Sequence, residues 1–199
     1  MTWFSLEHSP AAYWLDFVLY GFGLTGAAVA LTAYSPAGQG RSLVLWALIG
    51  SVAWTLLEYL LHRFVLHAVP PFNRWHGEHH LRPAALVSTP TLLSAGLFAV
   101  LAALPAWWVL GGWPACAFTF GMLAGYLVYG LMHHAAHHGV PGPLGRSDWL
   151  LLHRRRHAFH HAAASSGGAI RPCHYGVSSG LWDYVGATNS SRSSAANGR

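Results

Sequence analysis

A chain of 199 residues is long enough for one compact domain and short for two. Only 9% of its residues are charged, against roughly 25% in a typical soluble domain; 53% are hydrophobic and ten are tryptophan, the profile of a chain solvated by lipid. The formal net charge of +5 rests on eleven arginines and no lysine. They cluster at the ends of apolar runs, which suits phospholipid headgroups and argues against a nucleic-acid binder.

In chain order, the N-terminus lacks the basic start, short apolar stretch and small-residue cleavage site of a signal peptide. An apolar run over about 13–34 is long enough to span a bilayer, and a turn at Ser35–Gly40 follows. A second span is expected over about 43–66, with Glu58, His62, Arg63 and His67 towards its far end. A polar segment begins at Pro70-Pro71, and no Asp, Glu, Lys or Arg then occurs from Pro83 to Gly145. That leaves room for spans over about 91–110, kinked at Pro105, and about 114–132, joined by a hairpin at Gly111–Pro114. Ser147–His161 reads as a surface helix with Ser147 as its N-cap. The residues from 189 to 199 read as a disordered tail. Cys116 and Cys173 form no CxxC pair and read as unremarkable thiols.

The expectation is therefore an all-α protein: four transmembrane helices and a cytosolic, histidine-lined helical cap (67–90 and 133–188), forming a single domain over 1–188. Four spans return the chain to its starting side. Of the eleven arginines only Arg41 falls in a far loop, so the positive-inside rule makes both termini cytoplasmic.

The fifteen histidines are grouped, not scattered. His62 and His67 form HxxxxH; His76, His79 and His80 form HxxHH. His133, His134, His137 and His138 form a double HxxxH; His157, His160 and His161 form a second HxxHH. Residues at i, i+3 and i+4 share a helix face, so each HxxHH box projects three rings together. HxxxxH is different, because five residues turn an α-helix by about 140° beyond one full turn. Those two rings are expected either to share a site where the helix end unwinds or to bracket two metals, and the bracketing reading is preferred. All four boxes fall on the cytoplasmic side and can meet in one cap.

Imidazole suits iron and zinc alike. Ten rings exceed the roughly six donors one ion accepts, so two ions are the economical count. Only six carboxylates exist, and only Glu58, Glu78 and Asp148 lie near the boxes, which excludes a ferritin-like carboxylate site with two Glu-x-x-His motifs. Histidines at span ends argue against a transporter with a midplane site, and the absence of HExxH argues against a membrane metalloprotease. A non-catalytic protein with a structural di-zinc site remains a rival. His8 and His174 read as packing residues, and His153 stays open between ligand and helix face.

From about Leu57 to Thr188 the chain resembles the fatty acid hydroxylase/sterol desaturase superfamily. The resemblance is carried by EYLLHRFVLH, RWHGEHHLRPAALVSTPT, YGLMHHAAHHG and HRRRHAFHHAAASSGGAIRPCHYGVSSGLWDYVGAT, in that order. It implies a dioxygen-dependent di-metal enzyme that hydroxylates or desaturates a lipid acyl chain or a sterol-like substrate. Iron is expected for catalysis, and zinc is possible in the isolated protein. The implied ligands are His62, His67, His76, His79, His80, His133, His137, His157, His160 and His161. The family pattern YxxxHxxxHH fits Tyr129, His133, His137 and His138, and favours His133 and His137 over His134 and His138 as ligands. Relatives often carry a cytochrome b5 domain that has no counterpart here, so an external electron donor, cytochrome b5-like or ferredoxin-type, is expected. Carotenoid ring hydroxylases are an alternative, although their second and third boxes differ. The implied location is a bacterial inner membrane, with a lipid substrate drawn from the bilayer and no nucleic-acid partner.

Around the boxes, Glu58 is expected either to fix an imidazole tautomer or to pair, at the membrane interface, with Arg63 or another arginine. Tyr129 reads as a hydrogen-bonding neighbour of the site or an interface-belt residue, and Asp183 as an orienting group or a turn residue. Glu78 reads as a support or a solvated charge. Arg154–Arg156 read as headgroup anchors or as a docking patch for an acidic donor.

Overall fold

The computed structural model describes residues 7–164, 166 and 170–190. Among them the protein is helical with no named strand, and a lone bridge pairs Glu7 with Val87. Helix α1 (Pro10–Ala33) starts where Ser9 accepts the Ala12 amide at 3.3 Å and Pro10, lacking an N–H, occupies the first helical position. Helix α2 (Gly40–Leu60) widens into a π-helical turn over Leu61–Leu66. Helix α3 is Phe72–Leu81. Helix α4 (Thr91–Phe98) passes through a second π turn, Ala99–Ala103, into α5 (Leu104–Leu110). That turn lies just before Pro105, whose missing N–H breaks the regular ladder. Helix α6 (Gly112–His138) follows after Gly111 alone, whose φ of 66° suits glycine. Helix α7 is Asp148–Ala164, and its N-cap is Ser147, whose hydroxyl accepts the Leu150 amide at 3.4 Å. A short helix α8 (Leu181–Val185) closes the described chain.

Four helical stretches, Pro10–Ala33, Gly40–Leu66, Thr91–Leu110 and Gly112–His138, are long and apolar enough to cross a membrane. Their surfaces expose side chains that water would not tolerate in such numbers: Phe22 is 73% exposed, Trp108 84% and Leu92 90%. The chain is a multi-pass membrane protein. Helix α6 runs six residues beyond the expected span end at Met132, so the third histidine box is carried on its last turns. Most of the expected tail, 191–199, lies outside the described residues.

The helices divide into two compact units. The first comprises the described residues of 1–54 together with 86–128. Within it α2 and α6 approach until backbones touch: a Cβ on Gly50 would strike the Phe118 carbonyl, and one on Gly121 the Ala47 carbonyl. Ser51 Oγ donates to the Ala47 and Gly121 carbonyls at 3.0 and 3.1 Å, as small residues do at membrane helix crossings. Trp54, Phe98 and Tyr126 pack ring against ring, and Thr91 donates to buried Asp16 at 2.6 Å.

The second unit comprises 55–85 and the described residues of 129–199. Its apolar core is small: Met132, Ala135, Leu150 and Val177, with Tyr129 and Val140 against them. Much of the remaining interior is imidazole.

Candidate metal centre

Ten histidines converge in the second unit as two groups of five. His62, His67, His76, His80 and His160 form the first; His79, His133, His137, His157 and His161 form the second. Within each group one ligand atom per residue lies within 4.8 Å of every other. No carboxylate or thiolate belongs to either group.

Local structure explains the sorting. The π turn at Leu61–Leu66 bonds i to i+5, so it brings His62 and His67 onto one face, with ring centroids 5.2 Å apart and planes 27° apart. The pair therefore serves one group, which corrects the expectation that it brackets two metals. Each HxxHH box is split. On α3, His76 and His80 (i, i+4) join the first group and His79 the second; on α7, His157 and His161 join the second and His160 the first. The three rings of a box thus do not share one site, as their common face implied; they straddle two. His80 and His161, one from each group, stack with centroids 4.1 Å apart.

Two backbone carbonyls hold the first group from outside. His62 Nδ1 donates to the Tyr175 carbonyl at 2.5 Å, and His160 Nδ1 to the Cys173 carbonyl at 2.7 Å. A carbonyl only accepts, so both rings carry the proton on Nδ1 and present Nε2 as a lone pair. The 173–178 strap that supplies these carbonyls is fixed by two buried carboxylates. Asp183 accepts the Tyr175 and Gly176 amides at 2.8 and 2.9 Å and the Thr188 hydroxyl at 2.7 Å. Glu58 accepts the Val177 and Ser178 amides at 2.5 and 2.9 Å, and the Ser178 hydroxyl.

The donor set fits a metal ion in each group. His76 Nε2 lies 3.0 Å from His62 Nε2 and 2.9 Å from His80 Nε2, and one N–H cannot serve both. His157 Nε2 is placed likewise, 2.8 Å from His137 Nε2 and 3.1 Å from His161 Nε2. A cation relieves this crowding of lone pairs. With metal–nitrogen bonds of about 2.0–2.1 Å, tetrahedral ligands would stand about 3.4 Å apart, so the closer spacing here matches neighbours nearer a right angle. The rings outside the spans are also held neutral. Burial, with neighbouring imidazoles second, lowers His79 and His80 to about 3 and His67 to about 4. Burial brings His161 to about 4 and holds His76, His157 and His160 well below the usual imidazole range. Neutral imidazole is the form that ligates.

A model of the fatty acid hydroxylase family matches residues 47–188, a stretch that contains all ten histidines, Glu58 and Asp183. The chain belongs to the fatty acid hydroxylase family. It is 32% identical to the human fatty acid 2-hydroxylase over 151 residues, covering 69% of this chain and 37% of that one. It is 31% identical to the ceramide very long chain fatty acid hydroxylase of Saccharomyces cerevisiae over 196 residues, covering 88% of this chain and 43% of the relative. It is 32% identical to a dihydroceramide fatty acyl 2-hydroxylase of Arabidopsis thaliana over 154 residues, covering 70% of this chain and 58% of the relative. The chain therefore spans about two fifths to three fifths of the length of these fatty acid hydroxylases. The solved structure of full-length Scs7p, with only its hydroxylase domain visible, superposes with a TM-score of 0.66 at 24% identity, over 89% of this chain and 66% of that one; the two share a fold.

All ten histidines that the family resemblance implies are in the two groups. His134 and His138 stack on each other, centroids 4.6 Å apart, outside both groups. His153 bonds the Trp149 carbonyl at 2.8 Å and is likewise outside. His8 reaches the Ser88 carbonyl at 3.1 Å, and His174 packs on Phe159. Tyr129 stacks parallel to His133 at 5.9 Å and lines the small core. Neither expectation for Glu58 describes its bonds: it holds the strap instead of an imidazole, while Arg63 turns to the Tyr59 hydroxyl and the Gly186 carbonyl. Asp183 is a turn residue that also holds Tyr175, the residue whose carbonyl accepts from His62. Glu78 is exposed. The Tyr175 and Cys173 carbonyls were beyond sequence reasoning, since every residue has one. The nearest signal was one isolated acid, Asp183, just after the Gly/Ser-rich run 176–180 whose amides it can accept.

Proposed function

We propose that this chain is a membrane oxygenase that hydroxylates a lipid acyl chain with dioxygen, through two metal ions held by His62, His67, His76, His80 and His160 and by His79, His133, His137, His157 and His161. The relatives' names point to carbon 2 of a free or ceramide-linked acyl chain. The observation that carries the reading is the adjacency of two all-imidazole groups, joined by the 4.1 Å stack of His80 on His161. When bound, a pair of redox-active metals, iron in the working enzyme, supplies reductive activation of dioxygen. The net reaction is R–H + O2 + 2 electrons + 2 protons giving R–OH + H2O. The electrons come from a separate one-electron donor, cytochrome b5-like or ferredoxin-type.

The chain's own residues supply ligation and orientation. The Tyr175 and Cys173 carbonyls fix the tautomers of His62 and His160. Glu58 and Asp183 keep those carbonyls in place, and Tyr129 limits the swing of His133. Residues 1–188 act as a single domain in a bacterial inner membrane, with both termini and the histidine groups on the cytoplasmic side. The arginine distribution supports that orientation.

The test is mass spectrometry of lipids from cells making the wild type or a His157→Ala/His161→Ala variant. Acyl chains heavier by one oxygen, present only with the wild type, are expected. A product lighter by two hydrogens would assign desaturation, and an oxygenated ring lipid the carotenoid alternative. Identical lipids, with the wild type carrying two zinc or iron ions and supplied with donor, would leave a structural metal site and refute the proposal.

A further inference from the structure

Helix α8 (Leu181–Val185) turns an apolar face away from the fold. Leu181, Tyr184 and Val185 stand at i, i+3 and i+4, and are 54%, 60% and 70% exposed. Its other residues hold it in place. The Trp182 indole donates to Thr55 Oγ1 at 2.9 Å, and buried Asp183 accepts the strap amides. The residues after α8 continue the contact: Arg63 donates to the Gly186 carbonyl at 3.3 Å, and the Tyr59 hydroxyl lies 3.3 Å from Thr188 Oγ1. Thr55, Tyr59 and Arg63 belong to Gly40–Leu66, one of the stretches able to cross a membrane. A helix of five residues cannot span a bilayer, yet this one lies along the flank of a span with its apolar face outward.

The charges beside it agree. The two carboxylates bonded to this region, Glu58 and Asp183, are buried and hold strap amides. The outward charge belongs to two half-buried arginines: Arg156 reaches the Tyr184 hydroxyl at 3.5 Å, and Arg63 lies against Gly186. An apolar face bordered by guanidinium groups and a tyrosine hydroxyl suits the boundary between acyl chains and phosphates. An acidic partner protein would have to reach the flank of a span, which lipid occupies.

We propose that α8 is an in-plane anchor on an anionic lipid surface: Leu181, Tyr184 and Val185 enter the acyl boundary, and Arg63 and Arg156 pair with lipid phosphates. The anchor acts on the metal centre through Asp183, which accepts the Tyr175 amide while the Tyr175 carbonyl orients His62. A lipid surface that holds α8 therefore holds the strap and tightens the first histidine group. Among the described residues no strap hydrogen bond reaches a ring of the second. The inference rests on metal ligation by the first group and not on the reaction catalysed.

The test uses the full-length protein in bilayer discs of phosphatidylcholine, with or without phosphatidylglycerol. p-Benzoylphenylalanine in place of Val185 should, on illumination, give adducts of one lipid mass. The same label in place of Leu92, 90% exposed on α4, calibrates the yield. Adducts to a second copy or to an added one-electron donor would assign the face to a protein. A label that stays unreacted at Val185 while that at Leu92 reacts would assign it to water; either result overturns the anchor. Coupling is read as the affinity of the one ion left in His133→Ala, which removes a ligand of the second group. That affinity should be at least about tenfold tighter with phosphatidylglycerol than without, the lower end of what outer contacts to a ligating imidazole are worth. Arg156→Gln and Val185→Glu, each added to His133→Ala, should remove the difference. Equal affinity in both discs, or a loss in Arg156→Gln that is the same in both, would confine the arginine to a role within the fold and overturn the coupling. An empty first group would refute the metal reading and the coupling with it, and the adducts then decide the anchor alone.

Discussion

A histidine in water takes up a proton near pH 6.5, whereas burial holds His79 and His80 at about 3 and His67 and His161 at about 4. Between those values the unfolded chain binds more protons than the folded one. Their contribution to stability is therefore complete above about pH 6.5 and is lost as the pH falls towards 3. The metal-free protein in detergent should show its highest Tm at or above neutrality and a steady decline below pH 6.5. A flat profile from pH 7 to 4 would mean that the rings are open to solvent. The carboxylates act differently, through the chain. Truncating Asp183 to Ala leaves the buried Tyr175 and Gly176 amides unmatched, at about 1–3 kcal/mol for each. It also frees the carbonyl that orients His62. Asp183→Ala should lower both Tm and metal occupancy, and Asp183→Asn, which keeps one acceptor oxygen, should recover part of each. Metal content measured beside unfolding separates the two effects, because a purely structural role would leave occupancy of the folded fraction unchanged.

At the scale of the element, the spans were legible because a charge-free run of twenty residues has few other uses, and the boxes were legible because i, i+4 spacing survives in any helix. The π turns were not. An i, i+5 pair such as His62 and His67 is off-face in an α-helix, and only a local change of hydrogen-bond register brings it round. Nor was the division of each HxxHH box legible, since the i+3 ring lies near enough to its i+4 neighbour to serve either of two adjacent sites. The close crossing of α2 and α6 was likewise hidden, as glycine spacing alone does not name the partner helix. Gly121 has the Ala47 carbonyl where its Cβ would be, so Gly121→Ala forces the helices apart, at about 1–3 kcal/mol. Gly23 on α1 has open space at that position, and Gly23→Ala should stabilise by up to about 1 kcal/mol through helix propensity. Thermal unfolding of both variants in one detergent is the check, and a harmless Gly121→Ala would contradict the crossing.

For the molecule as a whole, the two histidine groups are equal in number and unequal in support. His62 and His160 of the first are anchored through Nδ1 by the strap carbonyls. In the second, the buried Nδ1 atoms of His79 and His157 have no hydrogen-bond partner among the described residues, and three of its rings line an open cavity. Outer hydrogen bonds to ligating imidazoles are worth roughly 10–100-fold in metal affinity. A chelator should therefore remove the two ions in sequence, the second group's first, with at least about tenfold between the steps. Because binding stabilises only the folded chain, the half-loaded protein should unfold at an intermediate Tm; an ion present at about 1,000 times its Kd contributes about 4.1 kcal/mol. Variants assign the steps. His133→Ala should abolish the early release and leave the late one, and His76→Ala should do the reverse. Simultaneous release from the wild type, or a late step lost in His133→Ala, would show that the strap does not set the order of affinity.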